Sequence, residues 1–168
     1  MKRGRRFLAD SGGGAGAELV LALPIMLVLL FGTLELGHYF FTEHQILKGV
    51  RDGARYGSRQ SFVDANCSGG SPSTLPAGIV TSIKNVTRTG FVSGGTTRVN
   101  GWINNDVTVT LSCPTTAITT GIYNGADNAP QINVTASVDY PSLLGDLGFL
   151  NFTGMKLNAT QQSAVLGI

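Results

Sequence analysis

The sequence predicts an α+β protein. A long N-terminal transmembrane helix continues into an amphipathic helix, and a small exported domain follows, with a short helix and an antiparallel sheet of about three strands. Three observations predict this. Residues 19–41 read LVLALPIMLVLLFGTLELGHYFF, an apolar run with one acid, Glu35, and one histidine, His38. Apolar residues then recur at helical spacing to about Arg59, and beyond residue 100 the period changes to two. Of the 168 residues 42% are hydrophobic and only 13% charged, against roughly 25% charged in an ordinary soluble domain.

The apolar run is long enough to span a bilayer, since about 20 residues at ~1.5 Å each cross a ~30 Å hydrocarbon core. A secretory signal has a shorter core, about 7 to 15 residues, and a small-residue cleavage site after it. Here the run leads into His-Tyr-Phe-Phe and a further helical pattern, so the span is expected to stay on the chain. Residues 1–13 carry Lys2, Arg3, Arg5 and Arg6 against Asp10 alone, which favours a cytoplasmic N-terminus and an exported C-terminal part. Lys48, Arg51, Arg55 and Arg59 beyond the span reduce that contrast. Because the basic excess sits in the first few residues, no nucleic-acid surface spread over the folded domain is expected.

The helix is expected to run from Gly14 to about Arg59, with Pro24 as its one break in character. That proline frees the carbonyl of Val20 and should kink the rod. In the outer part, Ile46, Val50, Gly53 or Ala54, and Gly57 form a narrow small-residue stripe, with charged residues on the other faces. Such a stripe can pack on a domain or on another helix. The turn-rich stretch NCSGGSPSTLP, residues 66–76, ends the rod. A short helix is predicted over Leu75 to Thr89, starting near Pro76, stopped by Gly90, and carrying Ile79, Ile83 and Val86 on one face.

Strands are predicted at Trp102–Leu111 and Gln131–Tyr140, each alternating apolar with polar residues, and a weaker one at Phe152–Val165 with Met155 and Leu157 on one face. Between the last two, PSLLGDLGFLN carries Leu143, Leu144, Leu147, Phe149 and Leu150. It is too apolar for a solvent loop and should pack under the sheet or against a partner. Cys67 and Cys113 lie on the exported side, where an even count suggests one disulfide; two unrelated buried thiols are the alternative.

Little in the chain points to catalysis. No Gly-x-Ser-x-Gly, His-Glu-x-x-His or phosphate-loop motif occurs, and Gly14-Ala15-Gly16 lacks the strand and later glycine of a dinucleotide loop. His38 and His44 are six residues apart and share a helix face poorly, so no metal site is expected there. Asp106, Asp139 and Asp146 fit no calcium-loop spacing. The chain is expected to be no enzyme and to need no cofactor.

Glu18 stands at the mouth of the span. An acid at mid-membrane depth costs about 3 kcal/mol or more; at this edge an interfacial acid in the headgroup zone is the bland alternative, and spacing sharpens the other reading. A cut between Gly13 and Gly14 would make Glu18 the fifth residue of the mature chain, after a basic leader of residues 1–13. This resembles the prepilin signal, Gly followed by four residues and Glu, that a prepilin peptidase processes. Residues 12–60 resemble the N-terminal helix of TadE-like pseudopilins of tight-adherence (Flp) pilus systems: Ala17-Glu18, Leu23-Pro24, Glu35-Leu36-Gly37 and Arg51-x-x-Ala54-Arg55-Tyr56 carry the likeness. Val138-x-Tyr140-Pro141, the leucine-rich loop and the final strand resemble the family more loosely. Leu19 departs from it, standing where an aromatic is usual.

The resemblance implies a minor pseudopilin that takes part in assembling or priming a pilus. It would sit in the bacterial inner membrane as a single-pass protein, with the exported domain, residues 61–168, in the periplasm and residues 14–60 as the helix. Implied partners are the prepilin peptidase, other pilins or pseudopilins, the assembly platform and the lipid bilayer. Glu18 would pair with a neighbouring subunit, while Glu35 and Tyr39 read most simply as interfacial residues near the outer headgroups. The alternative is an uncleaved, membrane-anchored binding or scaffold protein.

Overall fold

The computed structural model describes residues 14–114, 121–123, 128–145 and 154–168. The leader with Gly13, Asp146, Leu147, Phe149 and Leu150 of the leucine-rich loop, and Phe152 at the expected start of the third strand lie outside the described residues.

The first helix, α1 (Gly14–Ser58), is 45 residues long, or about 68 Å at 1.5 Å per residue. It stays α-helical through Pro24. Its two halves have different surroundings. From Leu19 to Leu34 the large apolar side chains are exposed, whereas Ile46, Val50 and Ala54 are fully buried in the domain. The predicted stripe thus packs on the chain's own domain.

The second helix, α2 (Ala77–Thr89), starts after Pro76 and ends at Gly90, whose φ of 86° closes the last turn through its N–H to the Val86 carbonyl at 2.9 Å. It crosses α1 over Gly49, Gly53 and Gly57. A Cβ at Gly49 would collide with the Thr87 carbonyl, one at Gly53 with the Thr87 hydroxyl, and one at Gly57 would come within 3.0 Å of Ile132 Cγ2. Hydrogen in place of a side chain is what lets the two backbones approach.

Three strands, β1 (Val107–Ser112), β2 (Gln131–Asp139) and β3 (Lys156–Ala164), form an antiparallel sheet in that order. Val109 faces Val134, which faces Gln161. Alternation buries Ile132, Val134, Ala136 and Val138 of β2 in the core with Ile46, Val50 and Ile83 of the helices. The opposite face is wet and carries the Thr135–Thr160 hydroxyl pair at 3.1 Å.

Two strands differ from expectation. The first begins five residues later than predicted: Asn104–Asp106 make a short 3₁₀ turn, fixed by the Ile103 N–H donating to Asp106 Oδ2 at 2.9 Å, and Trp102 leaves the strand to fill the core beneath Gly49. Asn and Asp favour such local bonds over ladder pairing. Met155 precedes β3 and is 38% exposed, so it does not share the buried face with Leu157; Ala159 does. Cys67 and Cys113, 46 positions apart in sequence, are bonded, with Cα atoms 5.7 Å apart. The bridge ties the connector after α1 to the end of β1.

Candidate functional site

A cluster of polar contacts lies where α1 meets the domain, at the end of the sheet nearest the exposed half of the helix. Pro141 follows β2 and has no N–H for a ladder, so the chain turns. The Ser142 N–H donates to the Tyr140 carbonyl at 3.0 Å, and the Gly145 N–H donates to Ser142 Oγ at 2.8 Å, with Gly145 at a φ of 60° that suits glycine. This turn leaves two consecutive N–H groups, those of Leu143 and Leu144, facing α1. They donate to Glu35 Oε1 at 3.3 Å and Oε2 at 3.2 Å.

Glu35 is 2% exposed. Burying a carboxylate without partners is costly, and here a turn of backbone supplies them. Around it, the Tyr140 hydroxyl donates to the Glu35 carbonyl at 3.1 Å. His38 Nε2 lies 3.1 Å from the Pro141 carbonyl, which as an acceptor requires the proton on that nitrogen. The ring of Tyr140 packs edge-on to Tyr39 at 5.3 Å and tilted to His38 at 5.7 Å. Burial first, then the hydrogen bond and charge of Glu35, push the Tyr140 phenol well above its usual range, so it remains a neutral donor. Beside this cluster an apolar groove of about 450 Å³ is walled by Val28, Gly32, Leu36, Tyr39, Tyr140 and Met155.

The residues singled out in the sequence are distributed along the rod. Gly14 opens α1, Glu18 is exposed just over one turn further on, and Pro24 sits within the exposed half. Glu18 and Glu35 are about 25 Å apart along the helix axis and do not meet. Glu35 and Tyr39 do come together, one turn apart, against Tyr140. Sequence reasoning missed the partners of Glu35 because they are main-chain N–H groups, which leave no mark in residue identity. The signal was the tripeptide Leu143-Leu144-Gly145 after Tyr140-Pro141, a turn sequence directly following a strand. Gly49 was missed as well, although it extends the Gly53 and Gly57 spacing by one turn. Among the described residues no group of three or more His, Cys, Asp or Glu is placed to hold a metal ion. The cluster holds the helix and the turn together.

Among the described residues one helix is long and apolar enough to cross a membrane, and an α+β domain is docked on its C-terminal half, which fits a membrane-anchored protein. The TadE-like protein family matches the chain over residues 13–55, a segment that includes Glu18, Pro24, Glu35 and Tyr39. This match connects the chain with tight-adherence pilus systems, whose TadE-like proteins are not known as enzymes. No curated protein and no solved structure matches it. Two of the motifs that carry the resemblance, Glu35-Leu36-Gly37 and Val138-x-Tyr140-Pro141, touch each other through the Tyr140 hydroxyl.

Proposed function

We propose that the chain is a minor pseudopilin that takes part in assembling or priming a tight-adherence pilus, after a prepilin peptidase removes residues 1–13. The observation that carries this reading is the exposed apolar half of α1, Leu19 to Leu34, with Glu18 exposed at its start. A helix of this kind is covered by lipid before assembly and by neighbouring subunits after it. Cleavage between Gly13 and Gly14 removes the basic leader that retains the N-terminus in the cytoplasm and creates an amine at Gly14. Glu18 of one subunit then pairs with the amine of its neighbour. In a low-dielectric setting either charge is costly alone and tolerable when paired. The N-terminus is cytoplasmic, the domain periplasmic, and the partners are other pilins and the inner-membrane assembly platform. A second reading, an uncleaved anchor carrying a binding or scaffold domain, is favoured by Leu19 in place of the family's aromatic.

Intact-mass analysis of the membrane-bound protein, from cells with and without the cognate prepilin peptidase, separates the two. A chain beginning at Gly14 only where the peptidase is present supports the pseudopilin reading. A chain beginning at Met1 in both leaves the anchor.

A further inference from the structure

We propose that the turn after β2, Tyr140 to Leu144, together with Met155, is a second membrane contact: an interfacial element that enters the leaflet next to the domain and is held at that depth by Glu35. The inference rests on the reading of α1 as a membrane span.

The argument is one of level. The apolar stretch of α1 continues to Phe41, and Leu36, Phe40 and Phe41 are all exposed. Glu35 lies six residues before that end, about 9 Å along the axis. Both carboxylate oxygens of Glu35 accept from the turn, at 3.3 and 3.2 Å, which fixes the Leu143 and Leu144 N–H groups at the level of Glu35, while Pro141 and Leu143 extend along the helix to Phe41. Met155 reaches further, walling the groove it shares with Val28 and Gly32. The rim of the domain therefore overlaps the apolar helix surface by about 9 Å, within the ~5–10 Å to which interfacial segments sink into the headgroup and acyl boundary.

The side chains match that position. Leu143 is 57% exposed, at the edge of a hollow it shares with Phe41 of the helix and Arg98 of the domain, and Met155 is 38% exposed. The polar groups of the turn, which would be expensive in such a setting, are largely satisfied internally. The Leu143 and Leu144 N–H groups go to Glu35, that of Gly145 to Ser142, and the Pro141 carbonyl to His38. Directly behind this rim comes a charged pair, Lys156 Nζ to Asp139 Oδ1 at 2.9 Å, both largely exposed. Apolar tip, satisfied turn, then charges is the order in which a bilayer surface is met. The occupant is lipid: the groove and the exposed tip are continuous with the helix surface that the bilayer already covers.

The test uses the full chain, reconstituted in vesicles of phosphatidylethanolamine and phosphatidylglycerol, with an environment-sensitive fluorophore on one introduced cysteine. Leu143→Cys is compared with Leu29→Cys in the span and Thr110→Cys at the far end of the sheet, and quenching is read with lipids spin-labelled near the top of the acyl chain for 143 and 110 and near its end for 29. A blue-shifted label at position 143, quenched several-fold more than at 110, is the expected result. Quenching at 29 without quenching at 143 overturns the inference and leaves the membrane anchor standing. Quenching at neither position removes the anchor and this inference with it. Adding Glu35→Ala should lower quenching at 143 to the level at 110 while position 29 is unchanged. Undiminished quenching at 143 in that variant overturns the role given to Glu35.

Discussion

Glu35 and Leu144, 109 positions apart in sequence, are joined by a hydrogen bond of 3.2 Å from the Leu144 N–H to Glu35 Oε2. With its twin from Leu143 it makes a turn of the domain part of the helix surface. Glu35→Ala leaves two donors without an acceptor, each costing about 1–3 kcal/mol, while Glu35→Gln keeps one acceptor oxygen. Stability should fall in the order Glu, Gln, Ala, and the Leu143 and Leu144 amides should lose hydrogen-exchange protection in step. Unaltered exchange in the alanine variant would show that the bonds do not hold the turn.

Tyr140 gives a pH dependence with a definite sign. Burial and Glu35 raise its phenol in the folded state above the ordinary value of 10.0, so the folded chain keeps a proton that the unfolded chain releases. The resulting stabilisation is complete below pH about 10 and is lost as pH rises from there toward the folded value. Tyr140→Phe should flatten this alkaline decline in denaturation profiles. A slope that survives the substitution would assign it to another group.

The glycine contact predicts two substitutions of opposite sign. Gly53→Ala drives a methyl into Thr87 and should cost about 1–3 kcal/mol, as overpacking does. At Gly37 nothing lies within 4 Å of the position a Cβ would take, so Gly37→Ala should gain about 1 kcal/mol from helix propensity alone. Denaturant titration of the detergent-solubilised protein measures both. Equal effects at the two sites would mean that the close approach of α1 and α2 is not what glycine serves.

The Cys67–Cys113 bridge closes 46 positions of chain, for which loop entropy sets an upper value of about 4 kcal/mol. A Cys67→Ala/Cys113→Ala double variant should melt lower by a corresponding margin. Added reductant should bring the wild-type protein to the same melting temperature and leave the variant where it is.

Glu18→Ala should leave the domain folded and the disulfide formed, and should block pilus assembly in cells. Pili made at normal yield would require the neighbour-pairing mechanism to be dropped.

The elements were legible where one physical signal dominated. The long helix follows from an apolar run joined to a helical stripe. The second helix follows from Ile79, Ile83 and Val86 between Pro76 and Gly90, and the middle strand from four apolar residues alternating with polar ones. Where local polar chemistry competed, the reading slipped: Asn104 to Asp106 form a turn that no alternation announces, and Met155 lies just outside the ladder. The junction at Glu35 was the least visible part. An acid late in an apolar run shows that a partner is needed, but main-chain donors more than a hundred positions away cannot be inferred from residue types.

The interlock of Gly49, Gly53 and Gly57 with α2 and the sheet makes the outer half of α1 a fixed part of the domain, and no break in helix separates it from Gly14. Azimuth is therefore transmitted along the rod. One residue inserted between Glu18 and Glu35 would turn the domain by about 100° about the helix axis and lift it by about 1.5 Å, leaving every contact within the domain intact. The compass bearing of the sheet's wet face, relative to whatever lies beside the membrane half, is written in the number of residues between those two acids.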